Sequence, residues 1–180
     1  MMNIKDKFKT ACGKDIYLRE ERKKHFLAHP DVLDFMNEAI SKIVIPDNAT
    51  YFEEAINLGR TIGEAKLIEV EKIAPEQKTT FALRLERKFP SRVAMGAKGI
   101  PCDCVTVEIK FDDLKKEYYL STAYIGYPCP DEPSHIKDKT SDDFKKALDF
   151  WLNHALVFNP KIMGSVFKAS WNEVLSRQYN

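Results

Sequence analysis

Two histidines four residues apart are the first side chains whose spacing suits chemistry. His25 and His29 lie in the run EERKKHFLAH at 20–29, whose acidic start and basic end are typical of a helix. Side chains four apart share one helix face, an arrangement that can hold a metal ion. Cys102 and Cys104 would complete a zinc site, but their one-residue gap is unlike the usual spacing. We therefore expect no metal ion and no other cofactor. Capping of the helix end is the alternative role for His29.

A second group of chemically useful residues is a basic cluster in the middle of the chain. Between positions 84 and 98 five cations stand against one acid, namely Arg84, Arg87, Lys88, Arg92 and Lys98 against Glu86. Local clusters of this kind, rather than net charge, indicate a phosphate-binding surface. The alternative interpretation is a strand edge that charge protects from aggregation.

Hydroxyl groups follow in the segment STAY at 121–124. If this segment is a strand, Thr122 and Tyr124 face one side of the sheet together. Threonine and tyrosine are ordinary strand residues. Their hydroxyls gain a functional meaning only beside a phosphate-binding surface.

The candidate residues are positioned by helices at both ends of the chain and by strands in the middle. The spacing of apolar residues predicts these elements. The predicted helices cover 20–29, 32–44, 141–155 and 164–177, with a helical turn or two at 50–58. The predicted strands cover 79–88, 105–110 and 118–125, with a weak strand at 15–19. A short polar connection makes 105–110 and 118–125 a hairpin. We predict an α+β fold, an antiparallel meander of at least three strands with N-terminal and C-terminal helices.

The length and composition of the chain limit the kinds of protein that it could be. A chain of 180 residues with a formal charge of +1 suits one domain over 1–180. Its core would cover 15–125 and a C-terminal helical part would cover 140–178. The spacing of Cys102 and Cys104 is poor for a disulfide, so we expect reduced thiols. The start is polar and the apolar runs are short, so we predict a cytoplasmic protein without a membrane partner.

Several motifs of common enzymes are missing from the sequence. It has no phosphate-cradling glycine motif, no G-x-S-x-G elbow, no C-x-x-C and no H-E-x-x-H. These absences argue against nucleotide-driven motors, dinucleotide oxidoreductases and serine hydrolases of the usual form.

The order of three segments resembles a known superfamily. YLREERKKHFLAHPDV at 17–32, VTVEIK at 105–110 and YYLSTAYIG at 118–126 resemble the barnase/EndoU/RelE-like nucleases, in their phage- and toxin-associated branch. FWLNHALV at 150–157 resembles the tail of such proteins. The likeness covers 15–125 in order and 126–158 more loosely.

The resemblance implies metal-independent cleavage of RNA by attack of the ribose 2′-OH on the neighbouring phosphate. Such chemistry needs a base, an acid and cations on the phosphate. The implied catalytic residues are His25, Thr122 and Tyr124. The implied substrate-binding residues are Arg84, Lys88, His29 and His154. RNA and an immunity or regulatory protein are the implied partners.

Other functions fit the sequence as well. One alternative is a protein-interaction module, or an inactive copy of the nuclease fold, that binds a partner through the meander edge or the C-terminal aromatic residues. Another is a small zinc protein. His154 lies on the flank of an apolar helix face, so a packed histidine is the alternative to its role in substrate binding.

Overall fold

Two five-stranded sheets organise this α+β chain, and a computed structural model describes its residues 4–28, 30–74, 79–85 and 89–177. The helices are α1 Glu20–Ala28, α2 Leu33–Ser41, α3 Asp142–Leu152 and α4 Trp171–Ser176. The strands are β1 Lys7–Lys9, β2 Asp15–Tyr17, β3 Tyr51–Asn57, β4 Gly63–Ala65, β5 Leu67–Glu69, β6 Thr79–Arg84, β7 Pro90–Ala94, β8 Ile100–Cys102, β9 Cys104–Asp112, β10 Glu117–Ile125, β11 His154–Val157 and β12 Met163–Phe167.

The chain divides into two compact units, each built from two stretches of sequence. The first unit comprises Met1–Ala65 and Pro101–Pro128, and the second comprises Lys66–Ile100 and Cys129–Asn180. The predicted core over 15–125 does not coincide with a unit, because the stretch 66–100 belongs to the second one. The single-domain prediction stays a prediction.

The first unit contains the predicted hairpin at the centre of its sheet. The strand order is β1-β2-β10-β9-β3, in which β9 and β10 are antiparallel, as predicted. β2 joins β10 in parallel, and β3 pairs with the other edge of β9. Alternation along β9 and β10 buries Val107, Ile109 and Ala123 in a core shared with Phe26 and Met36 of the helices. This burial of apolar area is the main driving force for the unit.

The second unit has its own sheet and its own core. The strand order is β12-β6-β7-β11-β5. α3 begins at the cap residue Ser141, whose hydroxyl accepts a hydrogen bond from the Phe144 amide. The helix buries Ala147 and Trp151 against a cluster that includes Phe81 and Trp171.

Five details of the predicted elements are wrong. The helix predicted over 32–44 ends at Ser41. The segment 50–58 forms strand β3, because seven of its residues pair with β9, and this tertiary pairing overrides the helical preference of its glutamates. The segment 79–88 supplies β6, which pairs with β7 and β12 and not with the hairpin. The helix predicted over 141–155 ends at Leu152. The helix predicted over 164–177 is strand β12 followed by the short α4.

The loop between β9 and β10 holds one residue, Lys116, in a strained backbone conformation. Lys116 has φ 54°, a left-handed conformation that costs a residue with a Cβ roughly 1–2 kcal/mol. In Lys116→Gly we expect a gain of about 0.5 kcal/mol in unfolding free energy, because the greater freedom of unfolded glycine offsets part of the relief. Urea unfolding measures this gain. Lys115 is not among the left-handed residues, so Lys115→Gly is the control and should lower the free energy of unfolding. If both variants lose stability, the backbone at Lys116 is not strained.

Candidate functional site

A row of side chains crosses the whole first sheet on the face that points away from the helices. The register aligns Tyr51 with Lys110, Lys110 with Tyr119, Tyr119 with Tyr17, and Tyr17 with Lys7. Residues directly opposite each other share a face. We call these five residues the tyrosine row; at about 4.8 Å between strands it is roughly 19 Å long.

Cations lie over the rings of the tyrosine row. The Lys7 Nζ is 5.8 Å from the centre of the Tyr17 ring, and the Lys110 Nζ is 5.9 Å from that of Tyr51. The Arg19 guanidinium carbon lies 3.6 Å from the centre of the Tyr119 ring. These distances are those of cation–π contacts. Tyr17 is 37% exposed and Tyr51 is 52% exposed, so the row is accessible to a ligand.

A second row, one register step away, carries acidic and hydroxyl groups. Glu53 lies directly opposite Glu108, and Glu108 directly opposite Thr122. We call these three residues the carboxylate row. The Lys110 Nζ is 2.7 Å from Glu108 Oε1, and the Tyr51 hydroxyl donates a 3.1 Å hydrogen bond to Glu53. Like charges directly opposite each other destabilise a sheet, so this pair of glutamates is a feature that stability does not explain.

The charges of this face are balanced. The Lys9 amine and then the Lys7 amine bond to Asp15 and hold the pKa of that carboxyl below its ordinary value. Arg19 is ion-paired with Asp112, whose pKa is lowered first by the backbone N–H of Lys115 and then by Arg19. A ligand phosphate would therefore compete with carboxylates for these cations. We call the two rows and these flanking groups the tyrosine face.

Tyr124 and its neighbours form the far end of the same face. Tyr124 pairs with Thr106, and its hydroxyl donates a 3.3 Å hydrogen bond to the Tyr127 carbonyl. A hydrogen bond with Cys104 raises the pKa of the Tyr127 hydroxyl to about 12. Thr122 and Tyr124 thus lie together on one face, as predicted, although an irregularity between Leu120 and Thr122 shifts the register before them.

His25 does not join Thr122 and Tyr124. Its helix α1 packs through Phe26, which is 0% exposed, into the core that Ala123 and Ile125 also enter. Because side chains alternate along β10, Thr122 and Tyr124 point to the opposite face of the sheet. His25 contacts the Phe26 ring edge-on at 5.6 Å. The predicted residues His29 and Lys88 lie outside the described residues.

Arg84 lies in the second unit and takes part in a buried polar network. Its Nε donates a 3.0 Å hydrogen bond to Ser91, whose hydroxyl donates a 2.8 Å hydrogen bond to Glu132. Ser91 is 0% exposed and Glu132 is 5% exposed. This network compensates a buried carboxylate with a cation, which is a structural role, and Arg84 as a phosphate clamp stays a prediction.

His154 also lies in the second unit, where it follows helix α3. Its ring stacks on Phe150 with 3.8 Å between ring centres, and Nδ1 is 2.8 Å from the Phe150 carbonyl oxygen. This is the arrangement that the alternative interpretation of His154 expects, a packed and hydrogen-bonded histidine at the margin of the core. A role in substrate binding stays a prediction.

Sequence reasoning missed most of the tyrosine face. Tyr17, Tyr51 and Tyr119 come from three separate segments, and only strand pairing brings them into one row. Six of the seven tyrosines lie in the first unit, but the tertiary structure is needed to define that unit.

The described residues contain no group of three or more histidine, cysteine, aspartate or glutamate side chains placed to hold a metal ion, and all four cysteines are free thiols. Within the same residues, no helix combines the length and the apolar character needed to span a bilayer. Comparison with protein-family models, curated proteins and solved structures finds no match to this chain.

Proposed function

We propose that this chain binds single-stranded RNA on the tyrosine face of its first sheet. The observation that carries the proposal is the tyrosine row, in which aromatic rings and cations are in register across five strands. Exposed aromatic rings on a sheet stack unpaired bases, and this is a common way in which proteins recognise single-stranded RNA. The Arg19 guanidinium over Tyr119 adds a planar stacking surface of its own.

The carboxylate row supports RNA over DNA. Glu53 and Glu108 are hydrogen-bond acceptors beside the stacking surface, and the ribose 2′-OH is the donor that DNA lacks. RNA phosphates should contribute little to the binding free energy, because each phosphate must displace a carboxylate from its lysine partner on this face. Stacking and sugar contacts would then supply most of the affinity.

The test is a titration of the full chain into fluorescently labelled single-stranded RNA and DNA of the same sequence, followed by anisotropy. We expect tighter binding to RNA than to DNA. The logarithm of the binding constant should fall as the logarithm of the salt concentration rises, with a slope smaller than about 1.4, the value for two phosphate contacts on a single strand. Equal binding to both strands would remove the sugar contact from the proposal. No binding to either strand would refute it and favour a protein partner for the same face.

Cleavage of the bound RNA is a second candidate function, and one observation favours it. Glu108 lies opposite Thr122 of the next strand. The Lys110 amine is 2.7 Å from the Glu108 carboxylate. A carboxylate there would accept the proton of the 2′-OH as that oxygen attacks the phosphate. Lys110 would stabilise the phosphate charge, and a hydroxyl of Thr122 or Tyr124 would protonate the leaving oxygen.

This candidate predicts which variant loses activity. In EDTA we expect cleavage of RNA but not of DNA, a rate loss of about 10²–10⁴-fold in Glu108→Gln, and little change in His25→Ala. Gel analysis of an end-labelled RNA measures all three. If His25→Ala abolishes cleavage and Glu108→Gln does not, the helix side of the sheet carries the chemistry. If the RNA stays intact, the cleavage candidate fails while the binding proposal is judged by the titration alone.

A further inference from the structure

A separate cavity of about 240 Å³ lies wholly within the second unit. Its lining includes Thr79, Arg92 and the apolar residues Phe81, Ala169 and Trp171. The volume is below the about 300–1,000 Å³ of pockets for drug-sized ligands. A ligand for this cavity must therefore be small.

Arg92 is the charged group of the cavity, and part of its hydrogen-bonding capacity is used by the protein. Its Nη1 donates to the carbonyl oxygens of Trp151, at 3.0 Å, and of Leu152 at the end of α3. Its Nη2 is 3.5 Å from the Thr79 hydroxyl. A guanidinium has five N–H donors, so these contacts leave the Nε hydrogen and one Nη2 hydrogen without an acceptor among the described residues.

The charge of Arg92 also lacks a counterion in the described part of the chain. The described ion pairs do not include it, and burial lowers its pKa below the ordinary value without a carboxylate to raise it. Arg92 is partly buried, and removing a cation from water without an anion beside it is costly. Two carbonyl dipoles of a helix C-terminus offset part of that cost, and an anionic ligand would offset more.

Two aromatic residues, Phe81 and Trp171, belong to the apolar part of the cavity lining. Phe81 and Trp171 meet edge to face with 4.9 Å between ring centres. The Trp171 indole N–H donates a 3.2 Å hydrogen bond to the Trp151 carbonyl, which also accepts from Arg92. This shared carbonyl fixes the ring and the guanidinium relative to each other, so aromatic contact and charge are presented together.

We propose that this cavity is a binding site for a small planar carboxylate. The carboxylate accepts the remaining Nε and Nη2 hydrogens of Arg92 as a bidentate pair, the geometry that guanidinium groups favour. The apolar body of the ligand lies against Phe81 and Trp171. The site is independent of the tyrosine face, and its ligand is not a nucleic acid.

The experiment compares a carboxylate with its neutral counterpart on the full chain. 4-Fluorobenzoate and 4-fluorobenzamide have the same ring and differ in charge, and ¹⁹F NMR reports their binding without a label on the protein. We expect 4-fluorobenzoate to bind and 4-fluorobenzamide to bind at least tenfold more weakly. Equal binding of the two compounds, or no binding of the benzoate, would overturn the proposal.

Two variants separate the ligand site from the structural role of Arg92. Ala169→Leu fills the cavity but keeps Arg92, and we expect it to abolish 4-fluorobenzoate binding. Arg92→Lys keeps a charge but loses the planar fork, and we expect at least a tenfold loss. Arg177→Lys, an exposed arginine of the same unit, is the matched control and should bind normally. Urea unfolding checks that each variant is folded. Normal binding in folded Ala169→Leu would show that the ligand does not occupy the cavity.

Discussion

A protein that carries both Tyr17→Ser and Tyr119→Ser should bind single-stranded RNA at least about thirtyfold more weakly than the unchanged chain. Each base stacked on an aromatic ring contributes about 1–3 kcal/mol, and the two rings are adjacent in the tyrosine row. The loss of about 2 kcal/mol or more corresponds to that factor in Kd. Fluorescence anisotropy with the labelled RNA measures it.

Two controls make this result specific to stacking in the row. Tyr17→Phe with Tyr119→Phe keeps both rings, so RNA affinity should change little. Phe89→Ser removes an aromatic ring that is 38% exposed but belongs to the second unit, and its affinity should also stay close to that of the unchanged chain. If the phenylalanine protein loses as much affinity as the serine protein, the hydroxyls and not the rings bind the RNA.

The largest expected effect on stability comes from Trp151→Ala in the second unit. Trp151 is 2% exposed, packs in the cluster with Phe81 and Trp171, and donates an indole hydrogen bond of 3.0 Å to the Pro130 carbonyl. Truncating such a side chain leaves a cavity and an unsatisfied carbonyl, which together cost about 3–5 kcal/mol. Urea unfolding followed by circular dichroism measures the change.

The neighbouring residue provides the control for this variant. Leu152 belongs to the same helix but is 52% exposed, so Leu152→Ala should cost less than about 1 kcal/mol. Equal losses at the two positions would mean that the face of α3 that carries Trp151 does not form the core of the second unit.

Local signals predicted the central hairpin and most helices. The alternation of Val105, Val107 and Ile109 and the polar connection after it are sufficient for β9 and β10, because pairing of neighbouring segments needs only a short loop. The last helix was misplaced although its signal was present. Ser170 and Glu173 form a reciprocal capping box, and this pattern marks the true start of α4.

Pairing between distant segments could not be predicted in the same way. The segment 50–58 contains helix-forming residues, but seven of its nine residues pair with β9 along the edge of that strand. The strand at 79–84 resembles the hairpin strands in composition, yet its partners are β7 and β12. A strand's alternation shows which residues share a face but not which strand lies beside it.

Side chains alternate along a strand with a period of two, and this was sufficient to predict that Thr122 and Tyr124 share one face. The residues that accompany them on that face depend on how distant segments pair. Phe26 buries the helix of His25 on the other side of the sheet, and Arg84 belongs to the second unit. Pairing across five strands instead brings Tyr17, Tyr51 and Tyr119 to the face of Thr122, since register depends on contacts between segments far apart in the chain.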